Sequence, residues 1–212
     1  QTLVGIITVD DVVDVIREEA TEDMLKMAGA SEGDVLLESS GVKAASLRLP
    51  WLFTNLVGSL ISGAILWYFR LTIREVVAIV SFVPVIAAMG GNVGLQSSTL
   101  IIRGLATGRI EMTDVRKIFF REARIGLLLG LACGLLMIMV SWFWHGHEMV
   151  VGASLIMSFI VSTSMATITP LLLKRVGVDP AVAAGPFVTT VNDITGITIY
   201  LTLATALLDY IK

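Results

Sequence analysis

The sequence predicts an all-α membrane protein, with five transmembrane helices per subunit preceded by a cytoplasmic amphipathic helix. Three observations lead there. Hydrophobic residues make up 55% of the chain and the mean hydropathy is +0.85, well above the soluble range. Five charge-poor stretches are each near or above the roughly 20 residues a helix needs to cross a bilayer. Residues 1–48 hold ten acids against four Lys and Arg, whereas residues 49–212 hold eight acids against eleven. An acidic head therefore precedes a mildly basic membrane domain.

The elements follow in order. Leu3–Val9 (LVGIITV) is short, β-branched and apolar, and reads as a buried strand. Gln1 leads straight into it without a basic leader, as if cut from a longer chain. Asp10 and Asp11 are expected to cap a helix whose apolar positions include Val12, Val13, Ile16, Met24 and Met27. Acids fill its other positions, among them Asp14, Glu18, Glu19, Glu22 and Asp23, and Gly29 ends it. Residues 30–48 read as a linker or a short amphipathic helix.

The spans are Leu49–Phe69, Val76–Ile102, Ile125–Trp144, Met149–Leu173 and Ala181–Leu208. The second and fifth exceed one crossing and are expected to contain breaks, tilts or ends projecting into water. With the N-terminus cytoplasmic, ten Lys and Arg fall inside and three outside, so the C-terminus lies outside. Trp51, Trp67, Trp142 and Trp144 sit near span ends, as interfacial aromatics do. Five spans do not divide into two equal repeats, so any symmetry must come from a second subunit.

Asp193 is the only charged side chain between Ala181 and Leu208. A charge at mid-membrane costs roughly 2.5–3.5 kcal/mol on insertion scales, so it is expected to face a bundle interior or a watery path. On a helical wheel Pro186, Thr189, Asp193, Gly196, Tyr200 and Ala204 form one stripe, flanked by Thr190 and Asn192. In the second span Pro84, Gly90, Gly91 and Gly94 are expected to weaken the helix and free carbonyl oxygens. Asn92, Gln96, Ser97 and Ser98 add neutral oxygens there. Lining made of oxygen alone suits a hard cation such as Mg²⁺ or Ca²⁺.

Other chemistries find little support. His145, His147 and Glu148 form a short turn that reads as a solvated loop more than a metal site. Cys133 is the single cysteine and packs as a small hydrophobe. No nucleophile or phosphate loop appears, and an intramembrane aspartic protease would need two acids, so the chain is not expected to be an enzyme. The basic loop between the second and third spans is explained by topology and carries no nucleic-acid signal.

Three segments resemble the MgtE family of magnesium channels. They are GGNVGLQSSTLIIRGLATGRI after a proline-bearing span, GPFVTTVNDITGITIYLTLA, and VGIITVDDVVDVIREEATED. The resemblance implies a homodimer in the cell (inner) membrane, with the pore at the subunit interface, lined by the second and fifth helices. It implies Mg²⁺ uptake, with Mn²⁺ or other divalent cations as further cargo, and closure by cytosolic Mg²⁺. It places the ion at Asp193, with Asn92, Gly90, Gly91, Thr189, Asn192 and Gly196 around the pore. It assigns regulatory metal to Asp10, Asp11, Asp14 and Glu18. Residues 1–9 would then be the end of a CBS domain, 10–48 a plug helix and linker, and 49–212 the conducting domain. The remaining CBS and N-terminal cytoplasmic regions of such proteins are expected as partners. A divalent-cation transporter or exporter coupled to H⁺ or Na⁺ is the alternative.

Overall fold

The computed structural model describes residues 5–30, 40–144, 148–183 and 185–211. Among these residues every regular element is helical. The predicted strand does not form: residues 5–8 have no regular structure and are exposed, and Val9 already begins a helix. Leu3 and Val4 lie outside the described residues. A strand must pair its backbone N–H and C=O groups with a second strand, and no described segment offers one.

Helix α1 spans Val9–Met27. Its cap is Thr8, two residues earlier than predicted. The Asp11 carboxylate accepts from the Thr8 backbone N–H and hydroxyl, each at 2.7 Å. Those two bonds hold the Asp11 carboxyl below the usual carboxylate range. Gly29, at φ +70°, ends the helix. Its N–H donates to the Lys26 carbonyl at 3.0 Å, and the Ala30 N–H to Leu25 at 2.8 Å, which closes a Schellman motif. Most of the apolar positions of α1, from Val12 to Ile16, are exposed.

Helix α2 spans Gly41–Tyr68 and is capped by Ser40. It starts eight residues before the predicted span, so residues 41–48 are helix and not linker. Pro50 lies inside it and contributes no N–H to the ladder. Helix α3 (Arg70–Glu75) is a single short piece, followed by a 3₁₀ segment at Val77–Phe82. Helix α4 then runs Val83–Ala106 with Pro84 in its first turn. The break expected in the second span is thus real but sits ahead of Pro84. Gly90, Gly91 and Gly94 lie within unbroken helix, whose hydrogen bonds keep their carbonyls in the ladder, contrary to expectation. Glycine costs about 1 kcal/mol in a helix, and close packing on these three offsets it.

Helix α5 spans Val115–Trp144, ten residues more than the predicted crossing at its start. Helix α6 spans Glu148–Arg175. The fifth stretch breaks as expected, into a 3₁₀ turn at Pro180–Ala183 and helix α7 at Pro186–Ala206; helix α8 (Leu208–Ile211) follows. Five helical segments, at 41–68, 77–106, 115–142, 150–175 and 186–206, are long and apolar enough to cross a membrane.

The core lies between α4, α6 and α7. Ile79, Ile86, Leu155, Phe159, Tyr200 and Leu201 are buried there. Burying one such side chain stabilises by about 1.5–3 kcal/mol against water, and in lipid the gain comes from tight packing. The Tyr200 hydroxyl donates to the Ile79 carbonyl at 2.9 Å and ties α7 to the 3₁₀ segment. Helix α6 touches α4, α5 and α7, while α2 packs chiefly on α7.

The end of α1 docks onto the start of α7. Lys26 Nζ lies 2.6 Å from Asp179 and 2.7 Å from Glu22. Gly29 faces Trp51 and Pro186, and Gly185, at φ +71°, packs directly on the Met27 carbonyl. A side chain at Gly185 would meet that carbonyl as well as a strained backbone.

Candidate functional site

Asp193 sits seven residues into α7, about 10 Å along the helix axis from its start. It is half-buried. Among the described residues it has neither an ion-pair nor a hydrogen-bond partner. It lines a cleft of 490 Å³ together with Asn55, Ser59, Ser62, Thr189 and Thr190. Glycine makes the room at Gly58 and Gly63; Leu66, Ala87 and Ile197 complete the wall, and a β-carbon at Gly91 would stand 3.2 Å from Asp193 Oδ1.

The structure brings some of the predicted residues together and separates others. Gly91 and Thr189 border Asp193. The Thr189 hydroxyl donates to the carbonyls of Gly185 and Pro186, both at 3.1 Å, so it offers only acceptor capacity to a ligand. Asn192, about 100° round the helix, is not among the residues that line the cleft. It is fully buried against Gly94, and neither its amide nitrogen nor its oxygen has a partner among the described residues. Ser158 and Ser162 of α6 are buried with unpartnered hydroxyls in the same seam, beside Gly196 and Gly90 respectively. Asn92 lies on a third face. Ala88, Asn92 and Gln96, four residues apart, form an exposed stripe on α4.

The acidic positions of α1 form a separate group. Asp10, Asp11, Asp14 and Glu18 are all exposed, and Asp11 is committed to the helix cap. Partial burial and the nearby Asp179 carboxylate push Asp23 up from its usual range, against the pull of Lys26. No cluster of three or more His, Cys, Asp or Glu side chains arranged for a metal occurs among the described residues. His145 and His147 lie outside the described residues.

Sequence reasoning missed the contribution of α2. Asn55, Ser59 and Ser62 recur at intervals of four and three in an otherwise apolar span, which is the spacing of one helix face. Asn55 Oδ1 accepts from the Thr190 hydroxyl at 3.0 Å and ties α2 to α7. Glu122 was missed as well. It is 3% exposed and accepts from the Ser97 hydroxyl at 3.0 Å, linking α4 to α5.

These features define a multi-pass helical membrane protein with one unpaired carboxylate in a cleft that mixes neutral polar and apolar side chains. A family model described as MgtE, divalent cation transporter, matches residues 83–203, which include both α4 and Asp193, and the chain belongs to that family. It is 42% identical over 207 residues to a protein named magnesium transporter MgtE from Bacillus subtilis (strain 168), covering 96% of this chain and 46% of that one. It is 41% identical over 211 residues to the protein of that name from Thermus thermophilus, covering 98% and 47%. A third, from Enterococcus faecalis, is 32% identical over 212 residues. The chain spans about half the length of the curated relatives it matches.

Proposed function

We propose that this chain is the conducting part of a Mg²⁺ channel that works as a homodimer, with Mn²⁺ or other divalent cations as lesser cargo. The observation that carries this reading is Asp193, an unpaired carboxylate lining a partly polar cleft within the membrane. The names of the relatives supply the ion.

Size and charge support a hydrated ion. Mg²⁺ gives up water reluctantly. Six waters at about 30 Å³ each occupy about 180 Å³, which a cleft of 490 Å³ accommodates. One chain offers one carboxylate, too little to replace that shell. Asp193 therefore binds through water, and the hydroxyls and amides of Asn55, Ser59 and Ser62 accept or donate to the outer waters. A second copy brings a second Asp193. Two facing carboxylates repel, and a divalent ion relieves the repulsion where Na⁺ relieves half of it.

The stripe of Ala88, Asn92 and Gln96 supports the dimer. Polar amides exposed on a membrane helix need water or another protein surface, since lipid tails satisfy neither. In the proposed dimer this stripe and Gly91 line the path on from Asp193, and Gly90, Gly196 and Asn192 pack the helix behind it. The N-terminus is cytoplasmic and the C-terminus outside. Cytosolic Mg²⁺ between the acids of α1, Asp10, Asp14 and Glu18 among them, would offset their repulsion and close the mouth. A ligand shifts such an equilibrium only by its differential affinity for the two states.

The test is Mg²⁺ entry into proteoliposomes loaded with a Mg²⁺-sensitive dye. Entry driven by the Mg²⁺ gradient and membrane potential alone is expected. Entry that requires an H⁺ or Na⁺ gradient would overturn the channel in favour of a coupled transporter.

A further inference from the structure

The first turns of α5 carry four cations, Arg116, Lys117, Arg121 and Arg124. All are exposed, and none has an ion-pair partner among the described residues. Glu122, the acid among them, is turned inward to Ser97 and does not neutralise them. Topology rules account for positive charge on one side of a membrane. They do not account for a groove.

Arg116, Lys117, Phe120, Arg124 and Leu127 share one face of α5 and, with Ile160 of α6, line a groove of 760 Å³. Its character changes along the helix, from Arg116 and Lys117 near the start of α5 to the apolar Leu127, with Ile160 of α6, at the other end. Only about 4.5 Å of helix rise separates Arg124 from Leu127. Because α5 crosses the membrane, this junction of charge and oil falls at the edge of the bilayer. Two contacts hold the cations in place without neutralising them. Arg124 Nε donates to the Phe120 carbonyl at 3.2 Å, and the Arg116 guanidinium lies 6.0 Å from the centre of the Phe120 ring. Asp114 on the rim subtracts one charge and leaves the groove a surplus of two.

We propose that this groove binds one anionic phospholipid, with its phosphate against Arg116, Lys117 and Arg124 and an acyl chain along Leu127 and Ile160. Guanidinium and ammonium groups match phosphate oxygens, and a basic pocket at a membrane surface is suited to a lipid headgroup. A free phosphate would meet the cations and leave the apolar end uncovered. A second copy of this face would bring like charges together. The site is separate from the Asp193 cleft and does not depend on what passes there.

Lipid binding to the purified protein in detergent tests this, with phosphatidylglycerol, phosphatidylcholine and water-soluble glycerol phosphate as probes. Phosphatidylglycerol should bind, more weakly as salt rises, and the other two should bind poorly. The triple variant Arg116→Ala/Lys117→Ala/Arg124→Ala should bind phosphatidylglycerol roughly 100-fold more weakly, at about a factor of five per cation. The pair Arg116→Lys/Arg124→Lys should retain binding, which separates charge from fold. A double variant at Arg103 and Arg109, also basic but outside the groove, should bind as the parent does. Equal binding of phosphatidylglycerol and phosphatidylcholine, equal binding of glycerol phosphate, or undiminished binding by the triple variant would each overturn the proposal.

Discussion

Two of the glycine seams in this bundle, α5 against α6 and α4 against α6 and α7, differ in what fills the space. In the first, Gly126, Gly130 and Gly134 recur every four residues. A β-carbon at Gly126 would meet the Thr163 hydroxyl and lie 2.8 Å from the Phe159 carbonyl oxygen, at Gly130 2.8 Å from the Ile156 Cα, and at Gly134 2.9 Å from the Gly152 carbonyl. Backbone meets backbone there, as in helix pairs packed through small residues. In the second, the neighbours are side chains: Asp193 and Thr189 for Gly91, Asn192 for Gly94, and Ser162 for Gly90. Space that one seam spends on close packing, the other gives to polar groups at membrane depth. The first is a structural clamp, and in the second only Gly91 borders residues of the Asp193 cleft.

Substitutions can break this contrast. The largest effect is expected at the backbone seam. Gly130→Ile should destabilise by about 3 kcal/mol or more, because neither backbone can yield without separating the helices. A fall in the thermal midpoint and loss of folded protein in detergent are the readouts. At the polar seam, Gly94→Ala should cost about 1–2 kcal/mol, since the obstructing group is the end of the Asn192 side chain. Adding Asn192→Ala should restore most of that loss, whereas no truncation on α6 should rescue Gly130→Ile. A double-mutant cycle with no coupling between positions 94 and 192 would erase the distinction drawn here.

The smallest effect is expected at the docked end of α1. Asp179→Asn should cost under about 1 kcal/mol, because that carboxylate is partly exposed and screened. Partial burial raises the Asp179 pKa, but the bonds from Lys26 and the Ala181 N–H outweigh it, and the net direction is down. Its contribution is therefore complete above the unfolded value of about 3.9 and is lost as pH falls through the lower folded value. Lys26 moves up, mainly through its bond to Asp179, so its contribution is complete below about 10.4 and lost as pH rises through the raised value. The contact should thus be insensitive to pH between about 5 and 9. Unfolding midpoints that shift within that window in the parent, and not in Asp179→Asn, would contradict this.

The sequence made the spans legible because apolar runs report where a chain enters lipid. It did not make helix ends legible. Helices α2 and α5 continue through Lys43, Arg48 and the basic turn at 116–124, since hydrogen bonding does not stop where hydropathy falls. The three glycines of α4 read as a break because their propensity is poor, and tertiary packing overrides propensity. Asp193 stood out as a lone charge, but the neutral ladder of Asn55, Ser59 and Ser62 did not. Glu122 was hidden by the cations around it. The different directions of Asn192 and Asp193, adjacent on α7 and about 100° apart, follow from the helical turn, yet which of them faces the cleft depends on where α2 and α6 pack.

The account rests most directly on Asp193, and Mg²⁺ flux through Asp193→Asn in proteoliposomes tests it. Asn has nearly the same shape, and Asp193 has no internal partner to lose, so the variant should keep the parent's thermal midpoint. The predicted result is folded protein that has lost most of its Mg²⁺ flux. Parental flux from folded Asp193→Asn protein would contradict the account.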